Sequence, residues 1–267
     1  MFILIGRVGL MSKFFVKQNQ INKDEIKILN EDVNHIKNVL RLAVNDEIII
    51  CDEDNSINYM CNISEIEKDF IICKIKEILP NKAESNVDIT IYQGLPKADK
   101  MELIIQKSTE LGVNKIVPVA LKRCIVKLEG KDEKKKIERW QKIAEVASKQ
   151  SGRDLIPKIE NIQKVTNILE NINNFDLFFV AYEEEKETSL KDVLKDISPL
   201  KNSKENIKIG FLIGPEGGIA KEEVETLKNA GAKVISLGNR ILRTETVALS
   251  VTSIIMYELE NFGGSNE

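Results

Sequence analysis

The stretch Ile207-Lys208-Ile209-Gly210-Phe211-Leu212-Ile213, followed at once by Gly214-Pro215-Glu216-Gly217-Gly218, decides the fold class. Its first part is a continuous apolar run broken only by Lys208 and Gly210. A strand covered on both faces reads this way, whereas a half-exposed strand alternates. Beyond the glycines, Val224 and Leu227 sit at helical spacing, and Gly231 ends that helix. Leu177–Tyr182 is a second continuous run, and Val87–Tyr92, Lys115–Val119 and Val234–Leu237 read as further strands. Helices fall between them. Met101, Ile104, Ile105, Ser108 and Leu111 share one face, closed by Gly112. Ile137, Trp140, Ile143, Ala144 and Ala147 line a second, which makes Trp140 a core residue, and Thr244–Leu259 is the last. This alternation predicts a mostly parallel α/β sheet. Asn167–Asn174 and Ser198–Asn206 read as polar connections.

Upstream the pattern differs. Phe14–Val16, Glu47–Cys51, Asn58–Ile63 and Phe70–Ile78 read as short strands. One helix carries Ile36, Val39, Leu40 and Ala43, with Asp32 or Asn34 placed to cap it. Short strands round one helix suggest a small β-barrel. The segments expected are therefore an extension (1–11), a small β-barrel (12–80), a polar linker (81–86), an α/β domain (87–262) and a tail (263–267).

Of the 267 residues, 42% are hydrophobic and 30% charged, as in a soluble globular protein. No apolar run approaches the roughly 20 residues of a membrane helix, so no membrane association and a cytoplasmic location are expected. Cys51, Cys61, Cys73 and Cys124 have no Cys-x-x-Cys spacing, and His35 is the single histidine. No metal is therefore expected, and the cysteines read as reduced, buried thiols. The net charge is -3. Binding nucleic acid would need a local positive patch. Lys97, Lys100, Lys122, Arg123, Lys127, Arg153, Arg240 and Arg243 are the candidates.

Two loops could carry chemistry. In Gly214–Gly218, Pro215 stiffens the turn while Gly217 and Gly218 allow positive φ and close ligand approach. Loops at strand C-termini are where open α/β sheets bind ligands. The sequence is neither Gly-x-Gly-x-x-Gly nor a P-loop, and an ordinary strand–helix turn would look the same. Leu237-Gly238-Asn239-Arg240-Ile241-Leu242-Arg243-Thr244-Glu245-Thr246 also leaves a strand and enters a helix. Its two arginines flank an apolar pair, and Thr244 and Glu245 suit a helix N-terminus. A capped helix start with surface arginines is the plain alternative.

The order of motifs is more specific than any one of them. Lys97-x-x-Lys100-Met101-Glu102, Gln106-Lys107-x-Thr109-Glu110-Leu111-Gly112-Val113, Glu138-Arg139-Trp140-x-Lys142-Ile143, Gln150-Ser151-Gly152-Arg153 and the two loops occur in sequence. Phe14-Phe15-Val16 and His35-x-x-x-Val39-Leu40-Arg41 precede them. From Met11 to Phe262 the chain resembles the bacterial 16S ribosomal RNA (uracil-N3)-methyltransferase family, RsmE, of the SPOUT class. One departure is Val247, where the family usually has alanine.

The resemblance implies a PUA-like, RNA-binding β-barrel followed by an α/β SPOUT methyltransferase domain with a C-terminal trefoil knot, which periodicity alone cannot reveal. It implies S-adenosylmethionine as methyl donor, a homodimer, and 16S rRNA or the small ribosomal subunit as substrate, modified at N3 of a uridine in the decoding region. Carried over, Tyr182, Ile213, Gly214, Pro215, Gly217, Gly218, Leu237, Gly238, Ile241 and Leu242 would form the cofactor pocket. Uracil N3 is a weak nucleophile until it loses its proton, so the site must favour the anion. Arg243 or Arg240 would stabilise charge on the uracil oxygens. Glu245 or Glu216 would accept the proton, given burial that raises its pKa. Lys97, Lys100, Arg123, Gln150 and Arg153 are candidate RNA contacts, and His35 reads as a structural hydrogen-bonder. Three alternatives stand beside this: a SPOUT enzyme for another RNA such as tRNA, a non-catalytic ribosome-assembly factor, and a nucleotide-binding protein using Gly214–Gly218 for phosphate.

Overall fold

The computed structural model describes residues 12–81, 83–203 and 205–259. The expected extension at 1–11 and tail at 263–267 lie outside these. The chain forms two compact units, one running to Glu84 and including Lys149–Leu155, the other made of Ser85–Ser148 and the residues from Ile156 on. No helix among the described residues is long and apolar enough to cross a membrane.

The first unit holds β1 (Lys13–Val16), β2 (Ile21–Asn22), β3 (Glu25–Leu29), α1 (Glu31–Asn34), β4 (Glu47–Asp52), β5 (Ile57–Ile66) and β6 (Phe70–Leu79). They form one sheet in the order β1-β4-β5-β6-β3-β2, with β1 parallel to β4 and the other pairs antiparallel. Strand β3 alternates exposed and buried residues, and sends Ile26 and Ile28 into a core with Phe14, Ile48, Ile50 and Ile63. Helix α1 continues into a π turn over His35–Val39 and stops, because Arg41 takes a left-handed φ of 56°. Ala43 is therefore not helical and Val39 is exposed rather than on the core face. Neither predicted cap acts as one: Asp32 pairs with Lys149, and Asn34 accepts from Asn38. The His35 ring stands edge-on to Phe14, and its side chain makes no hydrogen bond among the described residues.

The segment Lys149–Leu155, read from sequence as part of the α/β domain, belongs to this first unit. Asp154 explains why. It is 2% exposed, pairs with Lys13, accepts from Asn58 Nδ2 at 2.7 Å and from the backbone N–H of Ala83 at 3.1 Å. A buried carboxylate needs such partners, and all of them lie on the first unit.

The second unit contains β7 (Val87–Gly94), α2 (Lys100–Glu110), β8 (Lys115–Val119), α3 (Gly130–Ser151, whose last turn enters the first unit), β9 (Lys158–Ile159), α4 (Val165–Leu169), β10 (Leu177–Ala181), α5 (Leu190–Ile197), β11 (Ile207–Ile213), α6 (Lys221–Asn229), β12 (Lys233–Ile235) and α7 (Thr244–Leu259). Its sheet runs β12-β10-β11-β7-β8-β9 with every pair parallel. The continuous apolar runs are the central strands, and Phe179 stacks on Phe211 between neighbours at 5.3 Å. Trp140 is core, 4% exposed. Short elements α4 and the 3-10 turns at Ile172–Asn174 and Ser198–Asn202 occupy the segments read as plain connections.

Candidate functional site

Ile235, Ala181, Ile213, Gln93 and Pro118 form one row across the parallel sheet. The loops after β12, β10, β11, β7 and β8 therefore all leave from one edge at one height. That edge gathers Leu237–Arg243, Tyr182–Glu183, Gly214–Gly218, Leu95–Lys97 and Leu121–Arg123 within the second unit. Both candidate loops lie here, as do all the residues carried over for the cofactor. Of the RNA candidates, Lys97, Lys100 and Arg123 are on this edge, whereas Gln150 and Arg153 belong to the first unit.

Hydrogen bonds stitch the loops together. Gln93, fully buried, donates from Nε2 to Thr244 Oγ1 at 2.8 Å and to Gly94 O at 2.9 Å. Thr244 Oγ1 donates in turn to Gly214 O at 2.8 Å. The start of α7 is thus fixed to the glycine loop through β7. The loop itself closes tightly, Gly218 N–H donating to Pro215 O at 2.9 Å. Gly218 has φ 70°, and Gly238, where the second loop turns, has φ 95° with no other atom within 4 Å of where a Cβ would stand. Both positions favour glycine on backbone grounds. Tyr182 N–H donates to Ile235 O at 3.0 Å, which ties the β10 loop to the end of β12. Tyr182, Ile213 and Pro215 are buried, Leu237 and Leu242 are half-buried, and Ile241 is 92% exposed. Val247 is 9% exposed and packs in the core cluster beneath.

The charges on this edge divide into spent and free ones. Glu216 accepts from Lys100 Nζ at 2.7 Å and from the Lys97 backbone N–H at 3.1 Å. Burial pushes its carboxyl up, but the Lys100 ammonium and the backbone donors outweigh burial and hold it below the ordinary value of 4.5. The condition that made Glu216 a proton acceptor, a raised pKa, is therefore not met; the sequence could not reveal this because Lys100 lies 116 residues away. Glu245 Oε2 takes no hydrogen bond among the described residues and stands 3.7 Å from Lys100 Nζ. Arg123 donates to Gly217 O at 3.2 Å, and Lys122 pairs with Glu222 at 2.8 Å. Lys97, Arg240 and Arg243 are exposed and form no ion pair among the described residues. They are a local positive patch on a chain of net charge -3.

Arg153 does not fit an RNA contact. It is 4% exposed and binds Glu84 through Nε and Nη2, at 3.2 and 2.5 Å. Glu84 also accepts the Asp154 backbone N–H at 2.8 Å. A guanidinium held in this way is structural, and the motif position alone gave no hint of the burial. Gln150 is exposed. Cys51, Cys61 and Cys73 are buried and reduced, and burial pushes each thiol up to about 12.

The family models that match describe an RNA methyltransferase domain over residues 83–256 and an RNA methyltransferase PUA domain over 28–76. The chain is 36% identical over 258 residues to the ribosomal RNA small subunit methyltransferase E of Bacillus subtilis, covering 95% of this chain and 99% of that one. The crystal structure of a ribosomal RNA small subunit methyltransferase E from Neisseria gonorrhoeae, bound to S-adenosyl methionine, superposes with a TM-score of 0.79 at 28% identity, over 92% of this chain and 97% of that one. A methyltransferase from Legionella pneumophila in complex with the same cofactor also gives 0.79, at 26% identity and with the same coverage. The glycine cradle and apolar loop residues gathered on one sheet edge suit the adenosyl cofactor these neighbours hold.

Proposed function

This chain belongs to the ribosomal RNA small subunit methyltransferase E family, S-adenosylmethionine-dependent RNA methyltransferases, and we propose that it methylates N3 of a uridine in the decoding region of 16S rRNA. The observation that carries the reading is the single sheet edge where Gly214–Gly218, the Leu237–Arg243 loop and the free cations Lys97, Arg240 and Arg243 converge. It combines a cofactor cradle with a polyanion-binding rim. In this reading the crossing of the Gly214–Gly218 and Leu237–Arg243 loops forms a trefoil knot, a second copy completes the site, and the enzyme works in the cytoplasm on free 16S rRNA or the small subunit.

When bound, S-adenosylmethionine supplies an electrophilic methyl group. The chain's own residues do the rest. Tyr182, Ile213, Pro215, Leu237, Ile241 and Leu242 would hold the adenosyl portion, and backbone groups of Gly214, Gly217, Gly218 and Gly238 would offer it hydrogen bonds. Arg243, within the electrostatic reach of Lys100, offsets negative charge growing on the uracil oxygens, with Arg240 beside it. Glu245 accepts the N3 proton, since Glu216 is committed to Lys100 and Lys97. Lys97 contacts RNA from this edge, and Gln150 is a separate candidate contact on the first unit. N3 lies on the Watson–Crick edge, so the target base must leave its helix to react.

Nucleoside mass spectrometry of 16S rRNA from a strain lacking this gene tests the substrate. Loss of 3-methyluridine, restored by the intact gene, is expected. Its retention would exclude the assignment and leave another RNA as the target. Arg243→Ala should abolish turnover and leave cofactor affinity nearly intact.

A further inference from the structure

Glu183 follows Tyr182 at the end of β10, the strand beside β11 in the sheet. A Cβ built on Gly218 would collide with Glu183 Oε1 and lie 3.2 Å from its Cδ. Gly218 is glycine for its left-handed φ, and the end of the flexible Glu183 side chain rests against it. Three nearby acids are engaged. Glu185 accepts the backbone N–H groups of Lys186, Glu187 and Thr188. Glu216 is held by Lys100, and Glu223 by the N–H groups of Ala220 and Lys122. Glu183 is exposed and takes no hydrogen bond or ion pair among the described residues. The Tyr182 hydroxyl is pushed up by burial first and by Glu184 next, and the charge of Glu183 adds to this.

A carboxylate set against a glycine cradle, with no donor of its own, matches a ligand that brings donors. In parallel sheets that bind adenine nucleotides, a glycine loop after one strand takes the backbone-lined part of the ligand. An acidic side chain at the end of a neighbouring strand accepts the ribose hydroxyls. Gly214–Gly218 after β11 and Glu183 after β10 stand in that relation. We infer that Glu183 is a positioning residue for the cofactor: its carboxylate, lying against Gly218 of the glycine loop, accepts the ribose 2′- and 3′-hydroxyls of S-adenosylmethionine. This rests on the reading of this edge as the cofactor pocket. In the sequence Glu183 stands in an acidic run, Glu183-Glu184-Glu185, that looks like ordinary solvated surface.

The test is calorimetric titration of the full-length protein with two probes. S-adenosylhomocysteine carries both ribose and the α-ammonium, whereas 5′-methylthioadenosine carries the ribose alone. Glu183→Gln preserves size and is exposed, so its melting temperature should match the parent. Loss of charge-assisted hydrogen bonds should weaken both probes by a similar factor of about ten or more. A loss confined to S-adenosylhomocysteine would assign Glu183 to the ammonium and overturn the inference. Unchanged affinity for both would also overturn it. If the parent protein binds neither probe, the cofactor pocket itself is wrongly placed, a failure distinct from that of Glu183.

Discussion

Thr244→Val removes one oxygen from the point where β7, the glycine loop and α7 meet. Two hydrogen bonds go with it, from Gln93 Nε2 and to Gly214 O, each 2.8 Å long. A neutral hydrogen bond contributes about 0.5–1.5 kcal/mol net, and stranding a buried partner costs about 1–3 kcal/mol. Gln93 is fully buried but keeps its bond to Gly94 O, and Gly214 is partly open to water. Both effects pull the cost toward the lower end, to about 2–3 kcal/mol for the pair. Thr244→Ser is the control: it keeps the hydroxyl and loses one methyl group, about 0.8 kcal/mol. Urea unfolding followed by circular dichroism should separate the two variants by more than 1 kcal/mol. Cofactor affinity should fall further in the valine variant, because the loop that cradles the ligand loses its tether. If the two variants unfold together and bind S-adenosylhomocysteine equally, the relay is not what holds the loop.

Arg153→Met should destabilise the protein by about 3 kcal/mol by leaving Glu84 without its cation, seen as a lowered thermal midpoint; a surface RNA contact would instead leave stability intact and weaken RNA binding. Glu216→Gln tests the Lys100 clamp through pH. A carboxyl whose folded pKa is depressed stabilises above its ordinary value and loses that contribution as pH falls through the folded one. The stability gap between parent and variant should therefore be flat from pH 7 to 5 and shrink below 4.5, the ordinary value, and a gap that grows on acidification would refute the clamp. Cys51, Cys61 and Cys73, with thiols near 12, should resist an aromatic disulfide reagent at pH 8 until urea is added, and rapid native labelling of any of them would contradict the burial described.

What was legible in the sequence was what local pattern controls. Lys115–Val119, Ile207–Ile213 and Thr244–Leu259 were read to their exact ends, because apolar continuity and capping residues are properties of neighbours in the chain. The ordered motifs identified the family, which the relatives bear out. Strand β3 escaped because Glu25 and Lys27 interleave with Ile26 and Ile28 in only five residues. Helix α5 escaped although Ser189 and Asp192 form a capping box with Ser189 Oγ and Asp192 exchanging hydrogen bonds, a signal that was present and unread. The burial of Arg153 and the clamp on Glu216 were illegible for a different reason. Their fates depend on Glu84 and Lys100, 69 and 116 residues distant, and no local window contains both members of either pair.

The pairing of Lys13 with Asp154 has a consequence for the order of events at the ribosome. The partners are 141 residues apart, so the small unit cannot finish assembling when its six strands have emerged. At translation speeds of about 5–20 residues per second, Lys13 waits roughly 7–28 s for the strap that carries Asp154. During that interval the strands must hold together without their buried counter-ion. The nascent module is completed only after all of α3 and two strands of the following sheet have been made, and a swap of modules between relatives would have to carry two separate stretches of gene.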